Sequence, residues 1–179
     1  MSNSWMRYFL LALVATVTLA VYGQSNENEG DQPAKGQTVI LGTWAWDIET
    51  DQQGSMNGRR ADVWWEQVTE KEQFLVPLNG AGLVLLSDKV FEMITQEDLA
   101  TLKYSYNSVA NESLASGAVV ALKTEKGNFA KLKVVKYREL HDFSFPEAKH
   151  MSAGWKAFVL KKPNRENYHL EVEWELYQK

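Results

Sequence analysis

The sequence predicts a mainly β domain, an antiparallel β-sandwich or barrel of about eight short strands with one short helix. Two observations predict it. Hydrophobicity in most of the chain repeats every second residue, the period of a strand with one face in a core and one in water. Polar, glycine-bearing stretches such as LNGAG and TEKGN separate those runs at short intervals, and only TQEDLATLKY has a helical spacing.

At the N-terminus, Arg7 supplies one positive charge and the uncharged run Tyr8–Val21 follows. That run is shorter than the roughly 20 apolar residues of a membrane span. With small residues at Val21 and Gly23 it reads as a secretory signal peptide over residues 1–23, with a cut after Ala20 as the alternative. The expected location is therefore exported, periplasmic or extracellular, and the cleaved protein is not expected to be integral to a membrane. Residues 24–37, QSNENEGDQPAKGQ, hold nothing larger than Pro and Ala to bury and are expected to form a flexible linker. Residues 38–179 are then one β-domain, large enough for its own core. The chain has no cysteine, so neither a disulfide nor a lipid-modified cysteine is open to it, and stability must come from burial. Removing Arg7 from 19 basic side chains leaves 18 against 23 acidic ones, a net charge of −5. Nucleic acid, which calls for a clustered positive face, is not an expected partner.

The strands expected in order are TVILGTWAWDIE, ADVWWEQVT, QFLVPL, AGLVLLS, GAVVALKT, NFAKLKVVKY, GWKAFVLKK and YHLEVEWELYQ. In the closing strand Leu170, Val172, Trp174 and Leu176 share one face while Glu171, Glu173 and Glu175 share the other. Three aligned glutamates call for cations beside them, and Lys131 and Lys133, on one face of NFAKLKVVKY, are the expected neighbours. TEKGN, residues 124–128, reads as a hairpin turn, and Asn79-Gly80 supplies the positive φ angles of a second tight reversal. Thr95 and Asp98 have the spacing of a capping box for a helix over 95–104, with Leu99 and Leu102 on its buried edge.

Catalytic signatures are sparse. His141, His150 and His169 have no metal-site spacing, and without cysteine or an HExxH pattern no metal or cofactor site is expected. His141 and Asp142 are adjacent, so on a strand they would point to opposite faces. No catalytic residue is assigned. Asp47, Glu49, Asp62 and Glu66 are nevertheless the carboxylates from which a glycosidase pair would be drawn, were two of them to converge in a cleft.

The seven tryptophans say more. Trp44, Trp46 and Ile48 share a face, as do Val63 and Trp65, and both sets are expected in the core. Trp64 lies between Asp62 and Glu66, the composition of a partly exposed sugar-stacking ring. The glycine-rich, basic loop Gly54–Arg60 precedes that strand. The expected ligand-binding residues are accordingly Trp64, Asp62, Glu66, Arg59 and Arg60.

Taken together, GTWAWDIE, ADVWWEQ, FLVPLNGAGL, DLATLKYS, SGAVVALKTEKGNFAKLKV and LEVEWELY resemble a recurrent β-module of secreted prokaryotic proteins, over nearly the whole mature domain. The resemblance implies an exported β-domain and brings no catalytic residue with it. LASGAVVALKTEKGNFAKLKV is in addition similar to the strand-turn-strand of bacterial SH3-like wall-binding domains. The expected function is non-enzymatic binding of an envelope glycan or a partner protein. The alternatives are a glycan-acting hydrolase using paired carboxylates, and a structural envelope protein associating through a sheet edge.

Overall fold

The computed structural model describes residues 32–54, 60–69, 71–87, 89–139 and 167–179. Among them, ten strands form two five-stranded antiparallel sheets. One sheet has the order β1 (Ala34–Ile40), β10 (His169–Tyr177), β9 (Phe129–Arg138), β8 (Val119–Lys123) and β6 (Gly82–Leu85). The other has the order β3 (Gln52–Gly54), β2 (Ala45–Asp47), β4 (Val63–Gln67), β5 (Gln73–Pro77) and β7 (Val109–Ala110). All ten lie within the unit Pro33–Lys179.

The alternation of β10 organises the first sheet. Leu170, Val172, Trp174 and Leu176 all enter the core, and Glu173 and Glu175 stand opposite Lys133 and Lys131 of β9. Both pairs close as ion pairs, at 3.1 and 3.0 Å. A bulge between Glu171 and Val172 shifts the register, so Glu171 lies across from Lys136 and pairs with Arg138. The second sheet presents Trp46, Val63, Trp65 and Leu75 to the same core. Trp46 meets Trp174 edge to face at 6.1 Å, so the two sheets are joined through aromatic rings of roughly 150–250 Å² each.

The opposite face of the first sheet is covered as well. A 3-10 turn, Phe91–Met93, and the helix α1, Gln96–Ala100, lay Phe91, Ile94 and Leu99 over Val119, Ala121 and Phe129. Burial on both sides explains why β8 reads as an unbroken apolar run rather than an alternating one. Lys131 points from β9 into this second cluster and is almost fully buried. Its ammonium donates to the carbonyls of Phe91 and Ile94, at 2.8 and 2.9 Å, and pairs with Glu175. The helix carries the expected capping box, although it is shorter than the residues 95–104 that the pattern predicts.

The two turns behave as their residues require. Gly127, at φ 84°, closes the β8–β9 hairpin, and Thr124 N–H donates to the Asn128 carbonyl at 2.9 Å. Asn79 and Gly80, at φ 53° and 88°, carry the chain from β5 in one sheet to β6 in the other.

Four sequence expectations are corrected. The run TVILGTWAWDIE is two strands in different sheets, broken where Thr43 takes φ 66°. Trp44 falls in that break and is only half-buried, whereas Trp46 is fully enclosed. Residues 34–37, assigned to the linker, pair with β10 as the first half of β1. The short strands β3 and β7 were not expected, because two or three residues are too few to show a period. The signal peptide over 1–23, the strand GWKAFVLKK, and the His141-Asp142 pair fall outside the described residues.

The break is held tightly. Thr43 N–H donates to the Trp65 carbonyl at 2.8 Å, and a Cβ on Gly42 would stand 2.3 Å from the Tyr168 carbonyl oxygen. Gly42→Ala is therefore expected to cost about 1–3 kcal/mol of stability, the usual penalty for overfilling a packed site. Urea denaturation tests this, and an unchanged midpoint would show that the backbone yields instead.

Candidate functional site

Three of the four acidic candidates converge at one end of the sandwich. Asp47 closes β2, Glu49 follows in the turn toward β3, and Asp62 precedes β4. One oxygen from each lies within 4.8 Å of the others. Glu66 is not part of the group, since it sits four residues along at the far end of β4.

Asp62 is expected on an open face beside Trp64, and this is corrected: it has 0% exposure. One carboxylate oxygen accepts the Ile48 N–H at 3.1 Å and the other accepts the Glu125 N–H at 2.9 Å. Its backbone is held too, with its N–H donating to the Trp46 carbonyl and its own carbonyl accepting from Leu78 N–H. Asp62 thus ties the β2–β3 turn of one sheet to the β8–β9 hairpin of the other. Burial pushes its pKa up to about 7, against the Glu125 N–H, which lowers it, and with the Glu49 charge, which raises it further.

Glu49 moves the other way. Burial alone would raise its pKa, but hydrogen bonds from Thr124 and Asn128 and the nearby Lys126 ammonium outweigh that and hold it below the usual range. Asn128 donates to it at 3.0 Å and Lys126 pairs with it at 3.3 Å. Lys126 and Asn128 were missed as site residues, because in sequence TEKGN signals only a turn.

The three oxygens are hard donors of the kind that hold calcium or magnesium. Calcium, however, takes roughly 6–8 oxygens, and here Asp62 is engaged by two backbone N–H groups while Lys126 already neutralises Glu49. The group's evident role is to join loops of the two sheets.

Trp64 is placed differently. It stands on the outer face of β4, half-buried, with Val76 across from it on β5 and Ala45 on β2. Its indole N–H is closed off from solvent and has no partner among the described residues. Glu66 shares this face, opposite Phe74. Arg60 is exposed just before β4, while Arg59 and most of the Gly54–Arg60 loop lie outside the described residues. Of the five predicted ligand residues, then, Trp64 and Glu66 share a strand face and Asp62 leaves the set.

Fold and site together define a mainly β domain of two antiparallel sheets, with an acidic junction at one end and an aromatic outer face. No family model matches the chain, and no curated protein matches its sequence. Among solved structures it is similar to an apo HmuY analog from Tannerella forsythia, with 10% identity and a TM-score of 0.47 over 85% of this chain and 100% of that one.

Proposed function

We propose that this chain is an exported, non-enzymatic binding domain that takes an envelope glycan or a partner protein on the outer face of its second sheet. The observation that carries the reading is the placement of Trp64, a half-buried ring on the outer face beside Glu66, with Phe74 and Val76 on the neighbouring strand. Flat aromatic surface next to a polar group suits stacking against a sugar ring. The acidic residues support it from the other side, because the carboxylate best suited to act as an acid is sealed from any substrate.

Titration of the purified protein with cell-wall and polysaccharide fractions, followed by tryptophan fluorescence, is expected to give a saturable change that Trp64→Ala removes. Silence toward every fraction, or an identical response in Trp64→Ala, would sink the glycan branch.

One feature favours a hydrolase as the second reading. Asp62 and Glu49 have pKa values driven apart, as in acid and base partners. The complete burial of Asp62 weighs against it.

A further inference from the structure

Sheet edges offer unpaired backbone groups, and proteins usually shield them. Among the described residues, three of the four edges are short or blocked. β3 and β7 have three and two residues, and the outer edge of β6 is capped where Leu83 and Ser105 exchange backbone bonds of 2.8 and 3.0 Å. β1 is the exception, with seven residues and no proline inside it.

The amide of Gln53 shows which groups of β1 face outward. It donates to the Val39 carbonyl at 2.8 Å and accepts from Leu41 N–H at 2.8 Å. In an antiparallel strand the N–H and C=O of one residue point the same way, and the direction alternates. Ala34, Gly36, Thr38 and Ile40 therefore bond β10, while Lys35, Gln37 and Val39 turn outward. Gln53 occupies the Val39 carbonyl, which leaves the N–H and C=O of Lys35 and Gln37 and the N–H of Val39 without a partner among the described residues. Lys35 and Gln37 are exposed, and their side chains are bound on the sheet's face, to Glu175 and Glu171.

We infer that this edge pairs with β1 of a second copy of the chain, antiparallel about a two-fold axis at Gly36, to make one continuous sheet. Register decides the occupant. Centred on Gly36, Lys35 of each copy lies opposite Gln37 of the other, and each such pair exchanges two bonds. Val39 N–H then meets the carbonyl of Pro33. Proline has no N–H, and the Val39 carbonyl that such a donor would need is the one Gln53 already fills. A shift one way sets Lys35 against Lys35, like charges directly opposed. A shift the other way demands the occupied Val39 carbonyl. Self-complementarity of this kind is what a two-fold interface requires.

Light scattering over a concentration series is expected to show the mass rising from one chain to two. Gln37→Pro and Val39→Pro each remove an outward N–H and spare the β10 ladder, so both are expected to stay at one chain while keeping the β circular-dichroism spectrum. The chain has no native cysteine, so mixing Lys35→Cys with Gln37→Cys reports the register by oxidation, since directly paired residues lie within disulfide reach. A strong crosslink in the mixture, and little with Gln37→Cys alone, is the expected result. A single-chain mass at every concentration, or crosslinking absent from the mixture or strongest in Gln37→Cys alone, overturns the inference, even where a proline variant fails to fold.

Discussion

Lys131→Met is expected to remove about 3 kcal/mol of stability and to lower the melting temperature by roughly 10 °C. Methionine keeps the length and apolar stem of the side chain, so packing is largely preserved and the loss isolates the ammonium. Without it, the Ile94 carbonyl loses the ammonium inside the second apolar cluster and the Phe91 carbonyl keeps only the Ile94 N–H, at 3.4 Å. Glu175 fares better, because Lys35 and the Tyr177 hydroxyl still reach it at 2.8 and 2.9 Å. The damage should therefore concentrate on the segment that covers the first sheet. Trypsin provides the local readout, with cleavage at exposed Lys89 and Lys103 accelerating in the variant. A stability loss below about 1 kcal/mol, within the range of an exposed ion pair, would show that the ammonium is not what fastens the segment.

Asp62→Asn is expected to change sign with pH. In the native protein the Asp62 pKa is raised from 3.8 to about 7, so between those values the folded state holds a proton that the unfolded state has released. Stability must then fall as pH rises through that window, by at most about 1.4 kcal/mol per pH unit from this group. Asparagine does not titrate, but its amide can accept from only one side, leaving Ile48 or Glu125 N–H unpaired at about 1–3 kcal/mol. Near pH 4 the variant should be the less stable protein, and near pH 8 the gap should close or invert. Denaturation midpoints of both proteins across that range are the measurement, and parallel curves would mean that Asp62 is not held protonated. Glu171 and Glu175 act oppositely: hydrogen bonding from Arg138 lowers the first, and Lys35, Lys131 and Tyr177 overcome burial to lower the second. Their contribution is lost as pH falls below the ordinary glutamate range, so stability should peak in mildly acidic solution.

Much of this fold was legible wherever one residue's surroundings follow from its near neighbours. The glutamates of β10 pointed to the lysines of β9 because a two-residue period fixes both faces at once. Asn79-Gly80 announced a turn for the same local reason. Yet nothing near Asn79 says that the next strand joins the other sheet, and nothing near Thr43 betrays a left-handed residue in a run of good strand formers. Asp62 was misplaced on the same ground. In sequence it is a carboxylate beside a tryptophan, and its burial depends on N–H groups 14 and 63 residues away. Local composition could propose Trp64 as a binding residue, but it could not separate that ring from an aspartate that serves the fold.

The pairing of β1 with β10 has a consequence in time. The first of the described strands finds its neighbour in the last of them, separated by well over a hundred residues. The first sheet therefore cannot be completed before β10 has been made, and Trp174, which covers Gly36, arrives with that same late strand. A contact this distant in sequence must close a long loop before it returns any binding energy, so the docking of β10 against β1 is expected to be a late step of folding.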